Sequence, residues 1–320
     1  MLILKEIYNF AKMFLKNTIM IICEKKSHIY AVIAMIIWGM SYVWTKIVFQ
    51  IYSPFTTVFL RLLISSIILI IYLKYSGKLT KINKKDYLLF FFTAFFSPFL
   101  YFLGENFGIK LVSPTISAVI ISSIPVFTPI AVFIVTRERL SKFNTFGLII
   151  SFLGIVLIVL EKDFSIQVSP VGLIFLFGAV ASAIIYSFFL KKLSSRYSPI
   201  TLITYLNVIG TIYFLPLFLT FDYSEFITII PSTEVIVSII LLSVFASSLA
   251  FILFTTSVRN IGIIKTNLYT NLIPVFAALL SYFYLDEYFN LNKIVGIIIV
   301  IIGVILSQIH KPRIITRIFS

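Results

Sequence analysis

Ten apolar runs, each roughly 17 to 24 residues long, dominate the chain, and each is long enough to cross the roughly 30 Å hydrocarbon core of a bilayer as a helix. They lie near 29–47, 54–74, 87–105, 113–135, 143–160, 171–190, 199–220, 235–258, 264–285 and 293–310. Such runs are far longer than the strands of a soluble core, and a membrane barrel would show short alternating segments, so helices are predicted throughout. What lies between them suffices for loops and two tails. With 60% apolar and 12% charged residues, against about 25% charged in soluble domains, the expected class is an all-α polytopic membrane protein without a separate soluble domain.

Lys and Arg number 26 against 12 Asp and Glu. In a soluble chain that excess would suggest nucleic acid; here its distribution points to lipid, and no nucleic-acid partner is expected. Most of these charges fall in alternate loops: Lys25 and Lys26, Lys74 to Lys85, Arg137 to Lys142, Lys191 to Arg196, Arg259 and Lys265, and Lys311 to Arg317. On the other side stand Lys46, Lys110, Lys162 and Lys293, while Arg61 falls inside a run. Cytoplasmic loops retain positive charge, so both termini are predicted to be cytoplasmic, in the inner (plasma) membrane. One cysteine, Cys23, and two histidines, His28 and His310, offer neither a disulfide framework nor a metal cluster.

Residues 1–28 combine five lysines with Leu4, Ile7, Phe10, Phe14 and Ile19. Their apolar stretch is short for a secretory signal and no small-residue cleavage pattern follows. An amphipathic helix on the inner leaflet is expected, with initiation at Met13 or Met20 as the alternative.

A shift of 149 residues superposes Ile124-Pro125-Val126-Phe127 on Ile273-Pro274-Val275-Phe276, Glu138 on Glu287, Gly147 on Gly296, Gly154 on Gly303 and Lys110 on Arg259. At a shift of 145, Tyr52-Ser53-Pro54 falls on Tyr197-Ser198-Pro199 and Lys46 on Lys191. The halves 29–160 and 171–310, followed by a tail at 311–320, read as duplicates. Each holds five runs, so the second copy enters the membrane from the opposite side. Inverted repeats of this kind are a construction of secondary transporters, with the site at the repeat interface.

Trp38-Gly39-Met40-Ser41-Tyr42 with Lys46, Pro54 and Arg61, and the Pro125 block followed by Arg137-Glu138-Arg139-Leu140 and a glycine-spaced helix, resemble the EamA type of the drug/metabolite transporter superfamily. The resemblance covers about residues 29 to 310. It implies ten helices as two inverted five-helix repeats, a central cavity lined chiefly by helices 1, 3, 4, 6, 8 and 9, and export or exchange of small metabolites, often amino acids. The second copy departs from the pattern, with Ile185-Tyr186-Ser187 in place of a Trp-Gly signature.

Trp38, Ser41, Tyr42 and Thr45 share one helical face, as do Asn267, Thr270, Asn271 and Pro274. Polar stripes in aliphatic spans are expensive against lipid, so they line a cavity or bond helix to helix. Ser117 and Ser122, Ser182 and Tyr186, and Ser247, Ser248 and Thr255 are weaker candidates of the same kind. Prolines 98, 125, 129, 216 and 274 fall within runs; Pro125 and Pro274, being repeat-equivalent, are candidate hinges or static bends. Arg61, about 10 Å inside the outer boundary, is read as architectural, bonding to carbonyls or to Glu105. Glu105 ends the third run and is read mainly as interfacial, with proton coupling or a substrate amine as the functional alternative. Gly147, Gly154, Gly296 and Gly303 mark close helix packing, and Trp44 and the phenylalanines lipid-facing bulk.

No GxxxxGK[ST] loop, HExxH or GxSxG occurs in the sequence, which argues against an ATP-driven machine or a membrane hydrolase. The expected function is secondary transport of a small neutral or zwitterionic solute, amino acids first, by alternating access. No cofactor or enzymatic activity is expected, and the protein would act as monomer or homodimer. The charge inference rests on a cavity of Ser, Thr, Asn, Tyr and Trp that lacks buried Lys and Arg. A passive pore, or a carrier of nucleotide sugars or drugs, is the alternative.

Overall fold

A computed structural model describes residues 2–77, 80–128, 131, 142–159, 169–262, 266–286 and 291–308. Pro129, Arg137 to Leu140, Lys162, Lys265, Glu287, His310 and the tail 311–320 lie outside these residues.

The described chain is all helical. We label its helices α1 (Leu2–Val48), α2 (Pro54–Tyr75), α3 (Lys84–Leu111), α4 (Pro114–Thr128), α5 (Lys142–Val159), α6 (Pro170–Ser194), α7 (Pro199–Phe226), α8 (Thr233–Ile261), α9 (Tyr269–Leu285) and α10 (Leu291–Gln308). Six of them, α1 from Glu24 onward, α2, α3, α6, α7 and α8, are long and apolar enough to cross a membrane; four shorter apolar helices accompany them among the described residues. Backbone helix begins at Leu2, so the N-terminal extension continues directly into α1.

Four helices start with the dipeptide Ser-Pro. Ser53, Ser113, Ser169 and Ser198 each accept a backbone N–H of the first turn, and the following proline takes the position where a missing N–H costs nothing. Ser232 caps α8 in the same way, onto Val235.

The burial pattern is the reverse of a soluble protein's. On α2, Ser65 and Ser66 are buried, whereas Ile67, Ile68, Ile70 and Ile71 are exposed. In water that arrangement would forfeit apolar burial on every turn; against lipid it turns the aliphatic face to the acyl chains and the hydroxyls to other helices. The hydroxyls find partners there. Ser65 Oγ meets Ser248 Oγ at 2.6 Å, and Asn207 Nδ2 donates to Ser65 Oγ at 2.7 Å and to the Ser247 carbonyl at 3.0 Å, so one polar seam ties α2, α7 and α8 together.

The glycine reading holds in detail. Helices α5 and α10 cross so closely that a Cβ on Gly154 would lie 2.8 Å from the Val300 amide nitrogen and 3.0 Å from the Gly296 carbonyl, and one on Gly303 would meet Ser151 and Gly147 backbone. The reading of phenylalanine as outer bulk is corrected. Phe91, Phe92 and Phe146 are exposed, but Phe90, Phe102 and Phe214 are buried, because rings stacked between helices fill volume that small side chains leave open; Trp44 is half-buried against the same packing.

Candidate functional site

Within the bundle lies a cavity of about 80 Å³, room for several waters or a small polar ligand. Its wall is shared between the halves. Trp38, Ser41 and Tyr42 of α1, Arg61 of α2, Ser97, Tyr101, Phe102 and Glu105 of α3, and Ile121 and Ile124 of α4 face Tyr186 of α6, Phe251 and Phe254 of α8, and Asn267, Thr270 and Ile273 at α9. The six helices that the resemblance implied all contribute, with α2 added through Arg61.

Breaks in regular helix shape this wall. Ser97 departs from helical geometry (φ −149°, ψ 124°) inside a π-helical stretch of α3, Phe95–Leu100, and the Phe96 carbonyl beside it accepts Ser182 Oγ of α6 at 2.6 Å. Helix α8 carries a second π-helical stretch, Leu242–Leu249, which presents Ser247 toward α2. Helix α9 opens as a 3-10 turn, Leu268–Leu272, before regular helix resumes at Ile273. Helix α4 is interrupted by a turn at Ser123.

Not every residue of the two polar stripes reaches the cavity. Of the α1 stripe, Trp38, Ser41 and Tyr42 reach the cavity and Thr45, although buried, does not. Trp38 Nε1 donates to the Ala246 carbonyl at 3.2 Å, its ring packing on Phe251 and Phe254, and Ser41 Oγ donates to the Trp38 carbonyl at 2.7 Å. Asn267 and Thr270 line the cavity, whereas Asn271 and Pro274 do not, because the 3-10 turn winds three residues per turn and rotates them away. Asn271 is buried with its Oδ1 unpartnered. Ser122 and Ser248 serve packing: Ser122 Oγ bonds the Val119 carbonyl at 2.7 Å, and Ser248 belongs to the seam with Ser65. Among the weaker candidates, Ser117 and Thr255 are buried without a hydrogen-bond partner. Pro125 and Pro274 each stand at the start of the helical segment that follows a break.

Two assignments change. Glu105 is buried within the bundle and not exposed at a helix end, because α3 continues past it to Leu111. Its Oε1 accepts the Tyr101 hydroxyl at 2.7 Å and the Tyr42 hydroxyl at 3.3 Å. Arg61 bonds neither a carbonyl nor Glu105. Its Nε donates to Ser247 Oγ at 2.8 Å, and its guanidinium lies 4.3 Å from the centre of the Phe102 ring. The expectation of a cavity without buried cations is therefore corrected: Arg61, 3% exposed, is part of its wall.

The sequence reading missed Tyr101, Phe102 and Ser97. For Tyr101 a signal existed, since it stands four residues before Glu105 and so on the same helical face. His28, with Nδ1 2.7 Å from the Tyr269 hydroxyl, ties α1 to α9, and among the described residues no group of His, Cys, Asp and Glu could hold a metal ion.

The sequence matches the EamA-like transporter family twice, over residues 25–160 and 170–308. The chain belongs to that family. This EamA-like chain is a multi-pass membrane protein, and its relatives carry matching names. The Bacillus subtilis "uncharacterized transporter YetK" is 27% identical over 88% of this chain and 86% of its own length. An "uncharacterized transporter" of Archaeoglobus fulgidus is 25% identical over 91% of this chain and its own full length. A protein of known crystal structure superposes with a TM-score of 0.67 at 14% identity, over 88% of this chain and 98% of the other, which supports the fold alone.

Proposed function

We propose that the protein is a secondary active transporter that exports or exchanges small neutral or zwitterionic metabolites, amino acids first, by alternating access. One observation carries the reading: a single cavity whose wall comes from both halves of the chain, with hydroxyl, amide and aromatic groups turned into it. In this reading residues 29–160 and 171–310 are inverted five-helix repeats in the inner membrane with both termini cytoplasmic. Trp38, Ser41, Tyr42, Tyr186, Asn267 and Thr270 hold the solute. Pro125 and Pro274 are the flexing points, since each follows a departure from regular α-helix and itself lacks a backbone donor.

Counterflow in proteoliposomes tests it. Purified protein is reconstituted with each of about twenty amino acids, sugars, nucleosides and drugs inside, and uptake of the labelled solute is followed. A carrier gives transient accumulation for a narrow group, lost in Asn267→Ala and slowed in Pro125→Ala or Pro274→Ala. A pore only equilibrates, without overshoot, and that outcome overturns the proposal.

A further inference from the structure

Two charged side chains face the cavity with bonding capacity unused. Arg61 is 3% exposed, and only its Nε has a hydrogen-bond partner among the described residues, the Ser247 hydroxyl. The two terminal guanidinium nitrogens have none. Glu105 is 8% exposed; its Oε1 takes both phenols, from Tyr42 and Tyr101, and its Oε2 takes nothing. Opposite charges in one low-dielectric cavity would be expected to collapse into an ion pair, yet no Arg61 nitrogen lies within 4.0 Å of a Glu105 oxygen.

Their anchors explain the separation. Arg61 is pinned from α8 through Ser247 and stacked on Phe102, while Glu105 is pinned from α1 through Tyr42 and from its own helix through Tyr101. A buried charge left without a partner is costly, and held poles of opposite sign in one cavity fit a ligand that carries both signs. We infer that Arg61 and Glu105 are the two poles of a zwitterion site, Arg61 receiving the solute's carboxylate and Glu105 its ammonium group, with the aromatic wall of Trp38, Phe251 and Phe254 beside the remainder of the molecule. The assignment rests on the transporter reading above and narrows its substrate class to α-amino acids and compounds of the same charge geometry. A solute with one charge would satisfy one pole and face the other with the wrong sign or with none, so single-charge analogues are excluded by the same arrangement that admits the parent. A purely architectural pair would impose no such rule on solutes.

The test uses the wild-type protein, so that it does not depend on a variant folding. Counterflow of labelled alanine, leucine and phenylalanine is challenged with each parent, with its amide, which lacks the carboxylate, and with its desamino acid, which lacks the ammonium group. The expected result is competition by the parent and at least a tenfold weaker effect of both analogues, the size that losing one charge-assisted hydrogen bond produces. A desamino acid that competes as well as its parent removes Glu105 from the assignment, and an amide that does so removes Arg61; either result overturns the two-pole site while leaving the carrier intact. Counterflow of uncharged solutes with silence from all three amino acids also overturns it and keeps the carrier. Absence of counterflow for every solute overturns both. In Glu105→Gln, checked for monodispersity in detergent, the desamino acid should gain on its parent by about tenfold, a change in ranking that a structural defect alone would not produce.

Discussion

Helix α7 is tied to the first half of the chain at both ends, and the two ties use different chemistry. On the side with the denser Lys and Arg, Asp86 at the start of α3 takes Arg196 Nη1 at 2.5 Å and the Tyr197 hydroxyl at 2.7 Å, just before α7 begins; Thr80 and Thr201 hydroxyls meet 3.1 Å apart alongside. At the far end, Asp222 of α7 reaches the first turn of α2, where Oδ2 accepts the Ser53 hydroxyl, the Thr56 N–H at 2.9 Å and the Thr56 hydroxyl at 2.7 Å. Asp86 is matched by a cation whose side chain is 50% exposed. Asp222, 7% exposed, is held by neutral donors at a helix N-terminus, where unpaired amides and the positive end of the helix dipole favour an anion. The lesson is that a carboxylate in a lipid-embedded bundle need not be neutralised by Lys or Arg, provided a helix start is turned toward it. A tie of that kind is also less open to water and salt.

Replacing Asp222 should have the largest effect. Asp222→Ala leaves the Thr56 amide and two hydroxyls unpaired, and we expect a loss of about 2–3 kcal/mol, seen as a lower thermal midpoint in detergent. Asp222→Asn, which keeps one carbonyl acceptor, should recover part of it. Asp86→Asn should cost less, about 1 kcal/mol or under, because its cation is half in solvent. That cost should shrink further in 1 M salt, where the screening length falls to about 3 Å, while the Asp222 effect should not. Equal losses with equal salt dependence would remove the distinction between the two ties.

Tyr197→Phe should be the smallest perturbation and the one with a pH signature. Burial, and then the bond to Asp86, hold its phenol above the ordinary value of 10.0. The folded state thus binds this proton more tightly than the unfolded state does. Its contribution is complete below the unfolded phenol's range and is lost as pH rises through the folded one, so wild type should lose stability above about pH 10. In Tyr197→Phe that part of the alkaline loss should vanish.

How much of this was legible in the sequence differs by region for physical reasons. The apolar runs were readable because bilayer thickness sets their length, and the glycine pairs because small residues seven apart share a face. The burial of Glu105 is not legible because a charge near the end of an apolar run reads as its end, whereas Asn106, Phe107 and Gly108 carry the helix on to Leu111. On α9, a regular 3.6-residue turn places Asn267, Thr270, Asn271 and Pro274 on one face, and the 3-10 turn at Leu268–Leu272 divides them. Asp222 with Ser53, and Asn207 with Ser65, are partners across 169 and 142 positions, and no local pattern announces them.

The Ser-Pro starts bear on how such a chain is made. A helix whose first turn is capped by the preceding serine leans less on a neighbour to enter hydrocarbon, so α4, α6 and α7 can each leave the insertion machinery with that start already capped, whereas the first turn of α2 also takes Asp222. The hydroxyl seam, the glycine crossing and the two aspartate ties then have a second task, sorting inserted helices into one arrangement. Insertion is encoded locally at the helix starts, and assembly by contacts far apart in the chain. Mutations in the two sets should therefore fail at different stages of biosynthesis.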